Sequence, residues 1–265
     1  MNKTLSIILL TLFFIACNTV PMTGRKQLKI VPNAQMFPMS FEQYKQVLAE
    51  SKLSSDQEQV AMIKRVGERI KIAAEKYYAD HKIYSKLNGY EWEFNLIESE
   101  QVNAWCMPGG KVAFYTGILP ICESETGIAV VMGHEIAHAL ANHGSERMSQ
   151  GMIAELGISG LSVAMGENPT LTKELFLQSV GIGTQLGMLK FSRGNESEAD
   201  HMGLILMASA GYDPNEAVEF WGRMASLSGG QQPPEFLSTH PSHETRVSDL
   251  KALIPEAMKY YQPKN

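Results

Sequence analysis

The stretch that most restricts this chain is VVMGHEIAHALANH, residues 130–143, where His134, Glu135 and His138 interrupt an otherwise apolar helical run. Each of these polar side chains costs free energy to bury without a partner. Four residues apart on a helix, His134 and His138 lie one turn apart on one face, so both imidazoles can reach a single ion. Glu135 lies about 100° round the axis from His134, near enough to act on a water held by that ion without ligating it. Read as ordinary core histidines, the pair and its glutamate would leave three groups to desolvate among Val130, Val131, Ile136, Ala137 and Leu140. A shared metal removes that cost. The spacing His-Glu-x-x-His is a zinc-peptidase signature.

A catalytic zinc needs three protein ligands and an open position for water. The third ligand is sought in FSRGNESEADHMG, residues 191–203. Asn195 is expected to cap a new helix, with Glu198 at the third position of its first turn. Glu196 and Asp200 then share a face one turn apart. That pair suits a metal ligand, Glu196, and a support, Asp200, which accepts a hydrogen bond from the free ring nitrogen of a ligating histidine. Glu198 lies off that face. Without the upstream motif, the same residues would read as a solvated acidic turn favoured by the helix dipole.

The remaining sequence sets the surroundings. With 265 residues, 44% hydrophobic and 19% charged, the chain is long enough for one large domain, and its composition is not that of a disordered protein. The net charge of −5 and the absence of a Lys/Arg block give no reason to expect nucleic acid as a partner. Lys3 precedes the apolar run LSIILLTLFFIA, residues 5–16, which has the length of an export signal and is too short to span a bilayer comfortably. The run ends at Phe14-Ile15-Ala16-Cys17, similar to the lipobox of bacterial lipoproteins, which makes Cys17 the candidate lipidation site. The expected division is a signal peptide over 1–17, an N-terminal extension over 18–38 and one peptidase-sized domain over 39–265.

Ser55 and Glu58 suggest a capping box, followed by apolar residues at helical spacing through Tyr78. Trp92, Phe94 and Leu96 alternate with polar residues, the period of a half-buried strand. A second strand is expected in QVNAWCM, and Pro108-Gly109-Gly110 turns the chain into a third, KVAFYTG. The helix carrying the histidines is expected to run from Glu123 to a C-cap at Gly144. Cys106 and Cys122 are equally compatible with a disulfide and with burial as free thiols. Residues 152–189, rich in Gly, Met and Leu, read as core helices or, less readily, as a mobile cover over the metal. His81, His143, His201 and His243 carry no assigned role.

HEIAH followed by ESEAD resembles the HtpX and CAAX-prenyl-endopeptidase family of zinc metallopeptidases, whose pattern is His-Glu-x-x-His followed by Glu-x-x-x-Asp. NAWCMPGGKVAFYTGIL (103–119) is similar to the family's strand pair before the zinc helix, STHPSHETR (238–246) to its late element, and NTVPMTGRKQL (18–28) to the start of its exported bacterial members. The resemblance implies a mostly helical α+β zincin-type domain of the gluzincin kind, with a small mixed β-sheet beside the zinc helix. It implies one zinc ion per chain on His134, His138 and Glu196, supported by Asp200. It places His240 close to the metal, stabilising an oxyanion or closing the open zinc position in a latent state, and makes Arg246 a supporting arginine.

The expected activity is zinc-dependent endopeptidase, with Glu135 as general base acting on a metal-activated water. Asn103, Ala104, Ala113 and Tyr115 are the candidate substrate-binding residues, on the premise that strand 111–116 is an edge to which an extended peptide can add. Unfolded or misfolded envelope proteins are the expected substrates. The expected setting is a periplasm-facing lipoprotein, on the outer rather than the inner membrane, held by its N-terminal lipid. Outer-membrane assembly machinery is a further implied partner, although no helical-repeat module is expected beyond the peptidase domain. Two other readings use the same residues: a chaperone-like client-binding protein whose zinc site His240 closes, and a purely structural zinc site. Glu135 argues against both, since neither needs a general base beside the metal.

Overall fold

A computed structural model describes residues 17–164, 169–180, 192–227, 236–237, 240 and 245–263. The export-signal run 1–16 and His243 lie outside the described residues, as do the side chain of Cys17 and residues 165–168 and 181–191 of the expected cover. Of the late element, His240, Thr245 and Arg246 are described.

The described chain opens with a hairpin in which β1 (Cys17–Thr19) pairs antiparallel with β2 (Lys26–Leu28). Val20 in its turn is buried in the main apolar cluster, and Gln27 donates a hydrogen bond to the Ala141 carbonyl at 2.8 Å. The segment 18–38 is thus woven into the core, and residue 38 falls inside the next element, α1 (Asn33–Glu50). In α2 (Gln57–Asp80) the cap is Asp56 and not Ser55: its carboxylate accepts from the backbone N–H groups of both Glu58 and Gln59. A charged acceptor beside the positive helix end outcompetes a neighbouring hydroxyl.

Three strands form the sheet: β3 (Glu93–Ile97), β4 (Ala104–Met107) and β5 (Lys111–Tyr115), in the order β3-β5-β4. β3 runs parallel to β5, with Glu93 opposite Lys111; β4 runs antiparallel to it, with Ala104 opposite Phe114. The sheet is mixed, as expected, but the premise of a 111–116 edge strand is overturned. Strand β5 is central; β3 and β4 are the two edges, and β4 is the edge next to the histidine-bearing helix. Val112, Ala113 and Phe114 have no exposure, the continuous apolar run of a strand covered on both faces. The turn that produces this order has Gly109 and Gly110 at φ +88, where a side chain at Gly110 would also strike the Trp92 ring.

A short α3 (Leu119–Cys122) leads into α4 (Glu125–Leu140), which Ser124 caps by accepting from the Gly127 N–H. Every residue of α4 from Gly127 to Leu140 is buried, packed among α2, β4 and three later helices. The expected stop at Gly144 is replaced by Asn142 in the left-handed region at φ +58, a conformation asparagine tolerates, and a new helix, α5 (His143–Ala164), begins at once. Within 152–189, α5 and α6 (Pro169–Val180) are helical, and Leu175 and Phe176 pack with Met148 and Phe37 in a second apolar cluster. The chain then forms α7 (Arg193–Ser209), α8 (Glu216–Leu227) and α9 (Arg246–Ala257). Cys106 and Cys122 are free thiols. Among the described residues no helix is long and apolar enough to cross a membrane.

Helices α4 and α7 meet glycine to glycine. A Cβ added at Gly133 would lie 2.8 Å from the Gly203 carbonyl oxygen, and one added at Gly203 would lie 2.9 Å from the His134 nitrogen. Glycine inside a helix costs about 1 kcal/mol relative to alanine. Here that cost permits a backbone-to-backbone crossing, which sets how near Glu196 comes to the histidines.

Candidate metal centre

The α4 pattern puts His134 and His138 on the side of the helix facing the first turns of α7, and the glycine crossing brings Glu196 against them. His134 Nε2 lies 3.1 Å from His138 Nε2 and 3.5 Å from Glu196 Oε2, and His138 Nε2 lies 3.3 Å from Glu196 Oε1. Four donors held about 2.1 Å from one ion at tetrahedral angles are about 3.4 Å apart, so these spacings suit zinc. The donor chemistry agrees. His134 is engaged through Nδ1 with Asp200 Oδ1 at 2.9 Å, and although burial works to lower its pKa, Asp200 and Glu196 raise it to about 9, so Nε2 is the nitrogen that would exchange a proton for a metal ion. Imidazole nitrogens and a carboxylate converging in a buried space suit a cation between them.

His240 also enters this cluster. Its Nδ1 lies 3.1 Å from Glu196 Oε1 and 3.3 Å from His134 Nε2, and one donor atom from each of His134, His138, Glu196 and His240 lies within 4.8 Å of the others. Backbone hydrogen bonds from His240 to Phe236 and from Phe236 to Val102 pin it beside the start of the edge strand β4.

Arg246 closes the other side. Its Nη2 donates to Asp200 Oδ1 at 2.7 Å and its Nη1 to Glu196 Oε2 at 3.2 Å, while the guanidinium carbon lies 3.2 Å from the centroid of Trp221. Burial works to raise the proton affinity of Glu196, but His240, His134 and His138 outweigh it and hold the carboxyl well below its usual range. His138 is pushed well below its ordinary value by burial, which leaves it neutral and able to ligate.

Glu135 is 2% exposed and points to the same space. Its Oε1 has no hydrogen-bond partner among the described residues and lies 3.5 Å from His240 Nε2. Burial raises its proton affinity, opposed by His240, by His134 and by a hydrogen bond with the Cys106 backbone.

The structure brings His134, Glu135, His138, Glu196, Asp200, His240 and Arg246 together. The substrate-binding candidates divide. Ala104 is on the edge strand β4 and Asn103 precedes it, the Asn103 Oδ1 accepting from the Ala104 N–H at 2.9 Å. Ala113 and Tyr115 are on the central strand, whose hydrogen-bonding sides β3 and β4 occupy, so a peptide has no backbone there to pair with. The cap of α7 is Ser192, in a reciprocal box with Asn195, three residues ahead of the expected site. His143, unassigned from sequence, is wholly buried against His138. Glu198, expected off the ligand face, is buried against His143. Trp221 and Arg25 also had no local signal.

Comparison with known proteins agrees with this geometry. The profile of Peptidase family M48 matches residues 60–254. The chain is 33% identical over 251 residues to the mitochondrial metalloendopeptidase OMA1 of Schizosaccharomyces pombe, covering 92% of this chain and 68% of that protein. It is 30% identical to the mitochondrial metalloendopeptidase OMA1 of Homo sapiens, over 97% of this chain and 49% of the human one. It is 31% identical to the beta-barrel assembly-enhancing protease of Yersinia pestis, over 60% of this chain and 34% of that one.

Proposed function

The chain belongs to Peptidase family M48 and so to the metallopeptidases, and from that premise we propose that it is a zinc-dependent endopeptidase in which Glu135 is the general base. The observation that carries the reading is a buried carboxylate beside the three convergent donors, with one oxygen that makes no hydrogen bond among the described residues and lies 3.5 Å from His240 Nε2. His134, His138 and Glu196 would hold the ion. Zinc bound there would lower the pKa of a water and polarise the scissile carbonyl. Glu135 takes the proton of the attacking water and passes it to the leaving amine. His240, with Nε2 toward Glu135, stands where it can donate to the developing oxyanion.

The substrate lies extended along β4, whose outer side pairs with no other strand among the described residues and whose Cys106 backbone borders Glu135. Backbone pairing of that kind is nearly blind to side chains and favours unfolded segments. Supporting an envelope setting are the Lys3-led apolar run, the lipobox-like Cys17 and the similarity to the Yersinia pestis protein, whose name attaches it to β-barrel assembly. On this reading the protein is a periplasm-facing lipoprotein that clears unfolded or misfolded envelope proteins.

A second reading has one observation in its favour: His240 Nδ1 sits among the ligand atoms and can close the site as a fourth donor. The chain would then be latent, binding clients without cutting them. The test is cleavage of an unfolded model protein by residues 18–265 and by Glu135→Gln, with zinc measured in both. One zinc in each and cleavage by the wild type alone is the expected result. Zinc without cleavage, even after His240→Ala, would replace the endopeptidase with the client-binding protein.

A further inference from the structure

His138 is braced from behind by residues outside the zinc motifs. His138 Nδ1 lies 2.8 Å from His143 Nδ1, and His143 Nε2 lies 2.9 Å from Glu198 Oε2. The same Glu198 oxygen accepts from Arg25 Nε at 2.6 Å, and its other oxygen accepts from the Thr23 hydroxyl. Arg25 Nη1 and Nη2 each donate to one oxygen of Glu146 at 2.8 Å, and Glu146 Oε2 also accepts from Asn195. His143 has no exposure, and Glu198 and Glu146 are buried.

This chain of contacts has a direction. An ionised carboxylate only accepts, so His143 Nε2 carries the hydrogen it shares with Glu198. A neutral imidazole then has its lone pair on Nδ1, and the hydrogen between the two Nδ1 atoms belongs to His138. That leaves the lone pair of His138 on Nε2, facing Glu196 and His134 Nε2. The opposite order would aim an N–H of His138 at the other ligands and a lone pair of His143 at a carboxylate.

The structure assigns to Arg25, Glu198 and His143 the role of a second orienting arm, which fixes the ring and tautomer of His138 as Asp200 and Arg246 fix those of His134. The hairpin residue Arg25 lies outside the stretch 60–254 that the family profile matches, so the N-terminal segment becomes part of the metal centre. The inference rests on the zinc reading above, and His143, Glu198 and Arg25 are positioning residues, touching neither substrate nor ion.

The test uses residues 18–265 and two readouts besides activity: zinc affinity by chelator competition, and histidine tautomers from long-range ¹H–¹⁵N NMR spectra of the zinc-loaded and metal-free protein. The expected spectra show Nδ1–H on His138 and Nε2–H on His143. His143→Leu, which removes the acceptor, is expected to weaken zinc binding about 10- to 100-fold. His143→Asn, whose side-chain oxygen can stand where Nδ1 stood, is expected to recover most of that loss, a rescue that packing alone would not give. Arg25→Met, on a partly exposed hairpin, is expected to weaken zinc in the same direction by several-fold and guards against His143→Leu failing to fold. Equal zinc affinity in the Leu and Asn variants, an unchanged affinity in Arg25→Met, or Nδ1–H on His143 would each overturn the arm while leaving the zinc site standing. A wild-type chain that takes up no zinc would overturn the zinc reading and the arm together.

Discussion

Gly203→Ala isolates what the helix crossing does for the metal centre. The added Cβ would lie 2.9 Å from the His134 nitrogen, 3.0 Å from the Gly133 carbonyl carbon and 3.1 Å from the His134 Cα, all main-chain atoms that cannot swing aside. Ordinary carbon contacts lie at about 3.5–4.0 Å, so α4 and α7 must part by roughly 0.5 Å or more. Residues 196, 200 and 203 fall on one stripe of α7, so the same displacement carries Glu196 and Asp200 away from the histidines. A metal site tolerates about 0.2 Å in its ligand distances. Overpacking costs about 1–3 kcal/mol, of which alanine's better helix propensity returns about 1. The metal-free protein should therefore lose no more than about 2 kcal/mol, while zinc affinity falls at least tenfold, a further ~1.4 kcal/mol. Chelator competition measures the second quantity and thermal melts without metal the first. Gly67→Ala is the control: its Cβ would strike the ring of Phe94 first, a side chain away from the metal ligands, so it should lower the melt and leave zinc binding alone. If Gly203→Ala binds zinc as the wild type does while Gly67→Ala behaves as stated, the crossing does not set the position of Glu196.

Asp200→Asn keeps an oxygen for His134 Nδ1 but removes the charge that pairs with Arg246, so zinc affinity should fall about 10- to 100-fold by chelator competition. Lys29, between Asn33 and Asn142, is pushed down to about 8 by burial and the nearby Lys86, from an ordinary 10.5. The unfolded chain then holds that proton more tightly, so the contribution of Lys29 to stability rises as pH climbs from about 8 to 10.5. Lys29→Met should remove that rise in melts compared at pH 8 and 10. Arg69 donates twice to the Ala210 carbonyl at the end of α7, at 3.1 and 2.8 Å, and stacks over Tyr212. Arg69→Ala should cost about 1–3 kcal/mol, read as a lower melting temperature, and Arg69→Lys should recover less than half, because an ammonium has no fork.

What the sequence made legible was local in period. His134, Glu135 and His138, and then Glu196 and Asp200, are spaced by helical turns, and the alternation of residues 92–96 marks a strand; both patterns survive without tertiary context. The order of strands does not, because an edge and a centre differ in what covers them. The continuous run Val112, Ala113 and Phe114 was the available sign of a central strand, and the edge premise passed over it. His143 was unreadable for a related reason. It lies five residues beyond His138, a spacing that continuous helix would turn away, and only the left-handed Asn142 returns it to the first helix's ligand. The two glycines of the crossing were visible as helix interruptions, but their meaning requires both helices at once. Arg25 reaches Glu198 across 173 positions, a separation no periodicity reports.

The first turns of α7 carry Glu196, Glu198 and Asp200, three acids within five residues, which would repel one another if left to solvent and each other. The fold separates their partners. Asp200 has Arg246 and His134, Glu198 has Arg25 and His143, and Glu196 faces three histidines with only one nitrogen of an Arg246 already shared with Asp200. Glu196 is thus the acid that a bound metal would hold directly, and it sits within one turn of the Ser192 cap, where α7 begins. Opening that turn releases a ligand, whereas the buried stretch 204–208 opens only with the core. Metal at about a thousand times its dissociation constant should oppose ligand release by roughly 4 kcal/mol, or about a thousandfold in population. Hydrogen exchange of the amides of residues 195–200 should therefore slow by up to that factor when zinc is added, with a much smaller change at 204–208. Equal slowing in both stretches would mean that zinc stabilises the whole domain and that α7 has no separate, metal-held beginning.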